Sequence, residues 1–229
     1  MAERVTFSSN GGSCGGLFAV PESGRGPGVV VIQEWWGLVP HVEHLVDRFA
    51  EAGFVALAPD LYHGAATDEP DEAMRMMMAL AMDPAAKDIG GAARFLFESD
   101  PTNGNGIGAV GFCMGGSLAL WSATLAPQLT AAVGFYPALP WERMSPDWPN
   151  YSGKAAMIHC SEEDGTSSAS GIQQAKASIE AAGGSIELFD YPGTQHAFFN
   201  DDRPEVYDAA ASELAWSRTV QFLHDRLEA

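Results

Sequence analysis

With 229 residues, 46% of them hydrophobic and six Trp and twelve Phe in the count, the chain carries enough apolar side chain for one large buried core. That excludes a disordered or fibrous protein. A formal net charge of −18 excludes recognition of nucleic acid or of an anionic membrane surface by bulk charge, since both would repel it.

Three cysteines, at positions 14, 113 and 160, form neither a CxxC pair nor an even framework, and unpaired thiols suit a reducing compartment. The start, Met1-Ala2-Glu3-Arg4, lacks the apolar stretch of a signal peptide, and no later run is long enough to span a bilayer. The expectation is a cytoplasmic protein with a single domain over residues 1–229, monomer or homodimer, without nucleic-acid or membrane partners.

In chain order, Val5-Thr6-Phe7 and Leu17 to Val20 read as two strands joined by a Gly-rich hairpin turn. Val29-Val30-Val31-Ile32 is an uninterrupted β-branched run, as in a central parallel strand covered on both faces. Val42, Leu45, Val46 and Phe49 fall at helical spacing, and Gly53 marks the stop. Phe54 to Ala58 is a second buried strand, closed by Pro59-Asp60. From Leu61 to Asp83 the pattern is a loop and a short helix, with Met74, Met76, Met77 and Met78 expected to pack on the core, or else to line a pocket lid.

A helix follows over 85–97, then a turn from Pro101 to Gly106 and a short strand, Ile107 to Val110. Beyond a helix-like run from Ser117, strands are expected at Ala131 to Tyr136 and Ala155 to Cys160, with an ordered Trp- and Pro-rich loop from Leu139 to Tyr151 between them. A helix from Ile172 to Ala182, an edge strand from Ile186 to Tyr191, a loop from Pro192 to His196 and a final helix from about Pro204 to Leu227 complete the chain. Strands alternating with helices define an α/β fold of three layers around a mostly parallel sheet, with ligands at the carboxyl ends of the strands.

The chemistry centres on Val110-Gly111-Phe112-Cys113-Met114-Gly115-Gly116, which runs from strand through a sharp turn into a helix. A nucleophile between glycines in that context is a nucleophile elbow. The helix behind it points unpaired N–H groups and a positive dipole end at Cys113. Gly11-Gly12-Ser13-Cys14-Gly15-Gly16 contains the same spacing, but no apolar strand precedes it and no helix follows, so it is set aside as a turn.

A thiol nucleophile needs a base, an orienting acid and an oxyanion hole. In this architecture the order is nucleophile, acid, histidine, the last two on loops after later strands. His159 lies inside a strand and His224 on the last helix, which leaves His196. Glu162, Glu163 and Asp164 follow the preceding strand; Asp164, beside Gly165, is the first choice for the acid and Glu163 the second. Glu34 lies where the oxyanion-hole loop begins, and a carboxylate beside Cys113 opposes thiolate formation. His41, Glu43 and His44 read as a solvated helix start rather than a metal site.

Gln33-Glu34-Trp35-Trp36-Gly37, Pro59-Asp60-Leu61-Tyr62, the Cys113 elbow, the Asp164 turn and Gly193-Thr194-Gln195-His196-Ala197-Phe198 resemble the dienelactone hydrolase (carboxymethylenebutenolidase) family, over nearly the whole chain. The resemblance implies an α/β-hydrolase fold and a Cys113–His196–Asp164 triad that hydrolyses small esters or lactones through a thioester, without cofactor or metal. It also implies that Glu34 holds the resting thiol neutral, that the N–H groups of Met114 and Trp35 form the oxyanion hole, and that Trp36 and Tyr136 are pocket walls. The chain departs from the pattern at Asn200, where members acting on dienelactone carry an arginine for the substrate carboxylate; Arg203 and Arg75 are the remaining candidates. The competing reading is a non-catalytic ligand-binding or redox-responsive thiol protein on the same fold.

Overall fold

The structure, a computed structural model, describes residues 1–165 and 168–228, with Glu163 described by its backbone alone. The strands are β1 (Glu3–Ser9), β2 (Gly12–Ala19), β3 (Gly26–Ile32), β4 (Val55–Pro59), β5 (Thr102–Phe112), β6 (Leu129–Phe135), β7 (Ala155–Glu163) and β8 (Ser185–Gln195). The helices are α1 (Pro40–Glu51), α2 (Pro70–Ala79), α3 (Met82–Glu98), α4 (Met114–Ser122), α5 (Ala169–Ala181) and α6 (Ala209–Leu227). The strands form one sheet in the order β1-β2-β4-β3-β5-β6-β7-β8. β2 runs antiparallel to both β1 and β4, and every pairing from β4 to β8 is parallel.

Helices cover both faces, as buried strands require. In β3, Val30 and Ile32 belong to the buried cluster that includes residues of α3, α4 and α5, while Val29 and Val31 belong to the one that includes α1 and α6. α4 is buried along its whole length, consistent with its almost unbroken run of apolar and small residues. Because β3, β5, β6, β7 and β8 are parallel, Glu34, Cys113, Tyr136, Asp164 and His196 all follow strand ends on one edge of the sheet.

Several boundaries differ from those the sequence suggests. The hairpin turn is only Asn10 and Gly11, with φ of 49° and 75°, and Gly12 to Gly16 belong to β2, so Cys14 is a strand residue. Positive φ at both central residues matches the twist of the flanking strands. β5 begins at Thr102 rather than Ile107, pairing with Gly26 and Pro27 of β3.

β8 continues through Pro192 and Gly193 to Gln195, and pairs again with β7 after a register shift. An edge strand tolerates proline because its outer N–H positions need no partner. α6 starts at Ala209, where Asp208 accepts a hydrogen bond from the Ala211 N–H.

His159 lies in the sheet interior, its Nδ1 2.7 Å from the Tyr191 hydroxyl and its Nε2 2.9 Å from Thr219 Oγ1. Burial, helped by the Arg218 charge, lowers its pKa to about 3. The unfolded chain therefore takes up a proton near pH 6.5 that the folded chain refuses, and stability falls as pH drops through that range. The urea midpoint of the wild type should decline between pH 7 and pH 5 more steeply than that of His159→Gln, by up to about 1.4 kcal/mol per pH unit below about pH 6.

Candidate active site

Cys113 links β5 to α4 with φ 54° and ψ −118°, a conformation that L residues rarely adopt. Such a residue costs about 1–3 kcal/mol and persists only where its surroundings enforce it. Here its N–H donates to Phe135 O at 3.0 Å, and the Gly116 N–H donates to its carbonyl at 3.0 Å. Glycine on either side is a packing requirement. A Cβ on Gly111 would lie 2.0 Å from Gly115 O, and one on Gly115 would lie 2.4 Å from Gln33 O and 2.5 Å from Ile32 O. The start of α4 is thus pressed against the end of β3. Met114, as the first helical residue, has an N–H with no partner inside its own helix.

His196 follows the end of β8. Its Nδ1 is 2.8 Å from Asp164 Oδ2, which also accepts a hydrogen bond from Ser161 Oγ at 2.9 Å. Cys113 lies beside the ring, and the two border one cavity. With Nδ1 engaged by Asp164, Nε2 is the nitrogen through which the ring would serve the sulfur. Burial opposes a charge on this ring, but the hydrogen bond to Asp164 and, where Cys113 is ionised, the interaction with its sulfur outweigh it, and in that ion pair the pKa is raised to about 10. Glu163, the second choice for the acid, has its side chain outside the described residues.

Burial pushes the thiols of Cys14 and Cys160 up to about 12. Cys113 is half-buried and opens onto a cavity of about 250 Å³. Glu34, Trp35, Trp36, Met114, His196 and Arg203 border the same cavity. Trp35 and Trp36 meet edge to face with ring centroids 4.9 Å apart. Glu34 is 4% exposed; its Oε2 accepts from Asn200 Nδ2 at 2.8 Å and its Oε1 from the Tyr136 hydroxyl at 3.4 Å. The carboxylate therefore shares the cavity with the sulfur, while its own hydrogen bonds go to Tyr136 and Asn200.

Two expected binding residues lie elsewhere. Tyr136, 1% exposed, is packed behind the cavity rather than on its wall, its ring 5.0 Å from that of His196. Burial, then the charge of Glu34, pushes its hydroxyl well above the usual phenol range. Arg75 sits on the outer face of α2, ion-paired with Glu72 in solvent. Arg203 reaches the cavity, with its Nε 2.9 Å from Glu205 Oε1. His41 is buried with Nδ1 3.0 Å from Asp201 Oδ1, whereas Glu43 and His44 point to solvent, so the three share no face.

Trp141, Arg143 and the pairing of Asn200 with Glu34 escaped the sequence reading, whereas the methionines of α2 were offered there as lid residues. Met74 and Met77 of α2 and Trp141 complete the cavity wall. Arg143 fastens the end of α2 by donating to Met77 O at 2.8 Å and to Leu80 O. Asn200, noted in the sequence only for the arginine it replaces, is a direct partner of Glu34. Met74 and Met77 were visible as a methionine cluster. Nothing local marked Trp141 or the Asn200–Glu34 pair.

A parallel sheet with a nucleophilic residue on a strained strand–helix turn, an acid after a later strand and a histidine after the last strand defines an α/β hydrolase. Within that class the chain belongs to the dienelactone hydrolase family, whose profile matches residues 14–227. It is 36% identical over 234 residues to Protein usf of Aquifex pyrophilus, covering 99% of this chain and 100% of the relative. It is 30% identical over 235 residues to an Aquifex aeolicus (strain VF5) protein assigned as a carboxymethylenebutenolidase, covering 100% of each. A crystal structure from Klebsiella pneumoniae subsp. pneumoniae, assigned as a dienelactone hydrolase, superposes with a TM-score of 0.84 at 25% identity, covering 96% of this chain and 97% of that one. The protein is accordingly a hydrolase of esters or lactones, acting on small molecules. Among the described residues, no helix is long and apolar enough to cross a membrane.

The hydrogen bond that His196 donates to Asp164 raises the pKa of the ring, so weakening it should lower that pKa. In Asp164→Asn, the His196 ring should titrate below the wild-type ring, as followed by NMR of the ring protons in both proteins. An unchanged titration would remove Asp164 as the cause.

Proposed function

We propose that the protein cleaves a small neutral ester or lactone through a thioester on Cys113, with His196 as base and Asp164 as its orienting acid. The observation that carries this reading is an imidazole hydrogen-bonded to Asp164 and bordering the same cavity as a sulfur on a strained turn. His196 takes the thiol proton as the sulfur attacks the carbonyl carbon. The oxyanion is held by the N–H groups of Met114 and Trp35, both at the cavity. Collapse breaks the C–O bond, and the departing alkoxide takes the proton from the imidazolium. A water then gives its proton to His196 and attacks the thioester, releasing the acid and returning the proton to the sulfur.

In this reading Glu34 sets the resting state. Its carboxylate, fixed by Asn200 and Tyr136, keeps negative charge beside the sulfur and disfavours thiolate until substrate arrives. A protonated thiol also resists oxidation. The cavity wall supports a neutral substrate. It is formed largely by Trp35, Trp36, Met74, Met77 and Trp141, Asn200 stands in place of an arginine, and Arg203 is already engaged by Glu205. The competing redox-thiol reading has less support, because Cys14 and Cys160 are buried, with thiols pushed up to about 12, and offer no ready resolving partner.

With p-nitrophenyl acetate and a panel of neutral lactones, Cys113→Ala should lose on the order of 10⁶-fold in kcat. Rapid acid quench of the wild type should show an acyl adduct on the Cys113 peptide by mass spectrometry. Equal turnover by both proteins would overturn the proposal. Glu34→Gln should alkylate faster at Cys113 with iodoacetamide in the absence of substrate, and unchanged or slower labelling would remove Glu34 from its assigned role.

A further inference from the structure

Away from Cys113, a second cluster joins a thiol, an imidazole and a carboxylate. Cys14 comes from β2, His63 from the turn after β4 and Asp88 from α3, and their ligand atoms all lie within 4.8 Å of one another. His63 Nε2 is 3.3 Å from Asp88 Oδ2. Cys14 and Asp88 are 1% and 2% exposed, while the His63 side chain is 58% exposed. We propose that these three side chains bind a divalent zinc-type cation, which clips β2, the turn and α3 together.

Donor chemistry and spacing favour this ion. Thiolate, imidazole and carboxylate together suit tetrahedral zinc, whose ligand atoms sit about 3.3–3.6 Å apart given its usual bond lengths. The His63–Asp88 separation already has this value, and the exposed His63 ring can close the rest of the gap. Asp88 is oriented as a metal ligand usually is: its Oδ1 accepts from Ser9 Oγ at 2.5 Å, leaving Oδ2 toward His63. Without a cation, Asp88 is held by Ser9 and His63, and the Cys14 thiol donates to the Asp60 carbonyl at 3.7 Å. With one, both become ligands, as the Cys14 proton leaves to solvent when the sulfur–metal bond forms. Water supplies the fourth position on the exposed His63 side.

The site lies beside the active-site wall. In the same turn, the Leu61 N–H donates to Gln33 Oε1 at 3.3 Å, and the Tyr62 hydroxyl is 3.7 Å from Met114 Sδ. Metal at Cys14 would therefore stiffen the support beneath Met114.

The test uses the full chain in a Cys113→Ala background, so that the active-site thiol cannot bind metal. After chelator stripping, equilibration with zinc chloride and desalting, Cys113→Ala should retain about one zinc per chain, and Cys113→Ala/His63→Asn should bind at least about tenfold more weakly. Asparagine tolerates the positive φ of 51° at position 63, so that variant should keep its fold. Cobalt should give Cys113→Ala a thiolate-to-metal charge-transfer band. Failure of Cys113→Ala to retain zinc, equal binding by the two variants, or cobalt binding without that band would each overturn the site.

Discussion

The contact on which the site depends is between backbones: the first turn of α4 against the last residues of β3. Gly115 lies too close to the carbonyls of Ile32 and Gln33 for any side chain to intervene. This approach places a helix N-terminus, the β3 exit loop and the sulfur of Cys113 together. It also explains why strain at Cys113 is tolerated. The β6 strand fixes its N–H through Phe135, and the helix fixes its carbonyl through Gly116, so relaxing φ would break bonds on both sides.

Electrostatics then divides the labour around that sulfur. Asp164 and Glu34 are both acids near one thiol–imidazole pair, but they act on different atoms. Asp164 is bound to His196 and favours a proton on the ring. Glu34 is bound to Asn200 and Tyr136, and borders the cavity itself. One carboxylate thus strengthens the base, while the other places negative charge where the thiolate would form. In the mechanism we propose, this opposition withholds reactivity from the thiol until a substrate enters the cavity.

Much of this was legible in the sequence because the required parts are short, local and ordered. The β-branched run of β3, the Gly-flanked Cys113, and the acid and histidine following later strands each follow from rules that hold over a few residues. Features that depend on distant neighbours were not legible. Gly12 to Gly16 read as a turn because glycine is weak in strands, yet pairing with β1 along the stretch, and with β4 from Gly16 onward, holds them extended. Pro192 read as a strand end because the vacant outer edge of β8 leaves no local mark. Trp141 reaches the cavity from a loop whose composition looked merely irregular, and Asn200 meets Glu34 across 166 residues of chain.

Cys14 and Cys113 show how little the immediate sequence decides. Both are flanked by glycine, and both satisfy the same short pattern. Cys14 continues a strand between β1 and β4, so its thiol is enclosed and faces a buried aspartate. Cys113 ends a strand at the parallel edge of the sheet, so its thiol meets an imidazole and an open cavity. Strand position determines which polar groups each sulfur can reach. An imidazole coupled to an acid favours attack on carbon, whereas a carboxylate with an exposed imidazole offers a seat for a cation. The same residue in the same local pattern therefore supports two different chemistries, separated by where each strand ends.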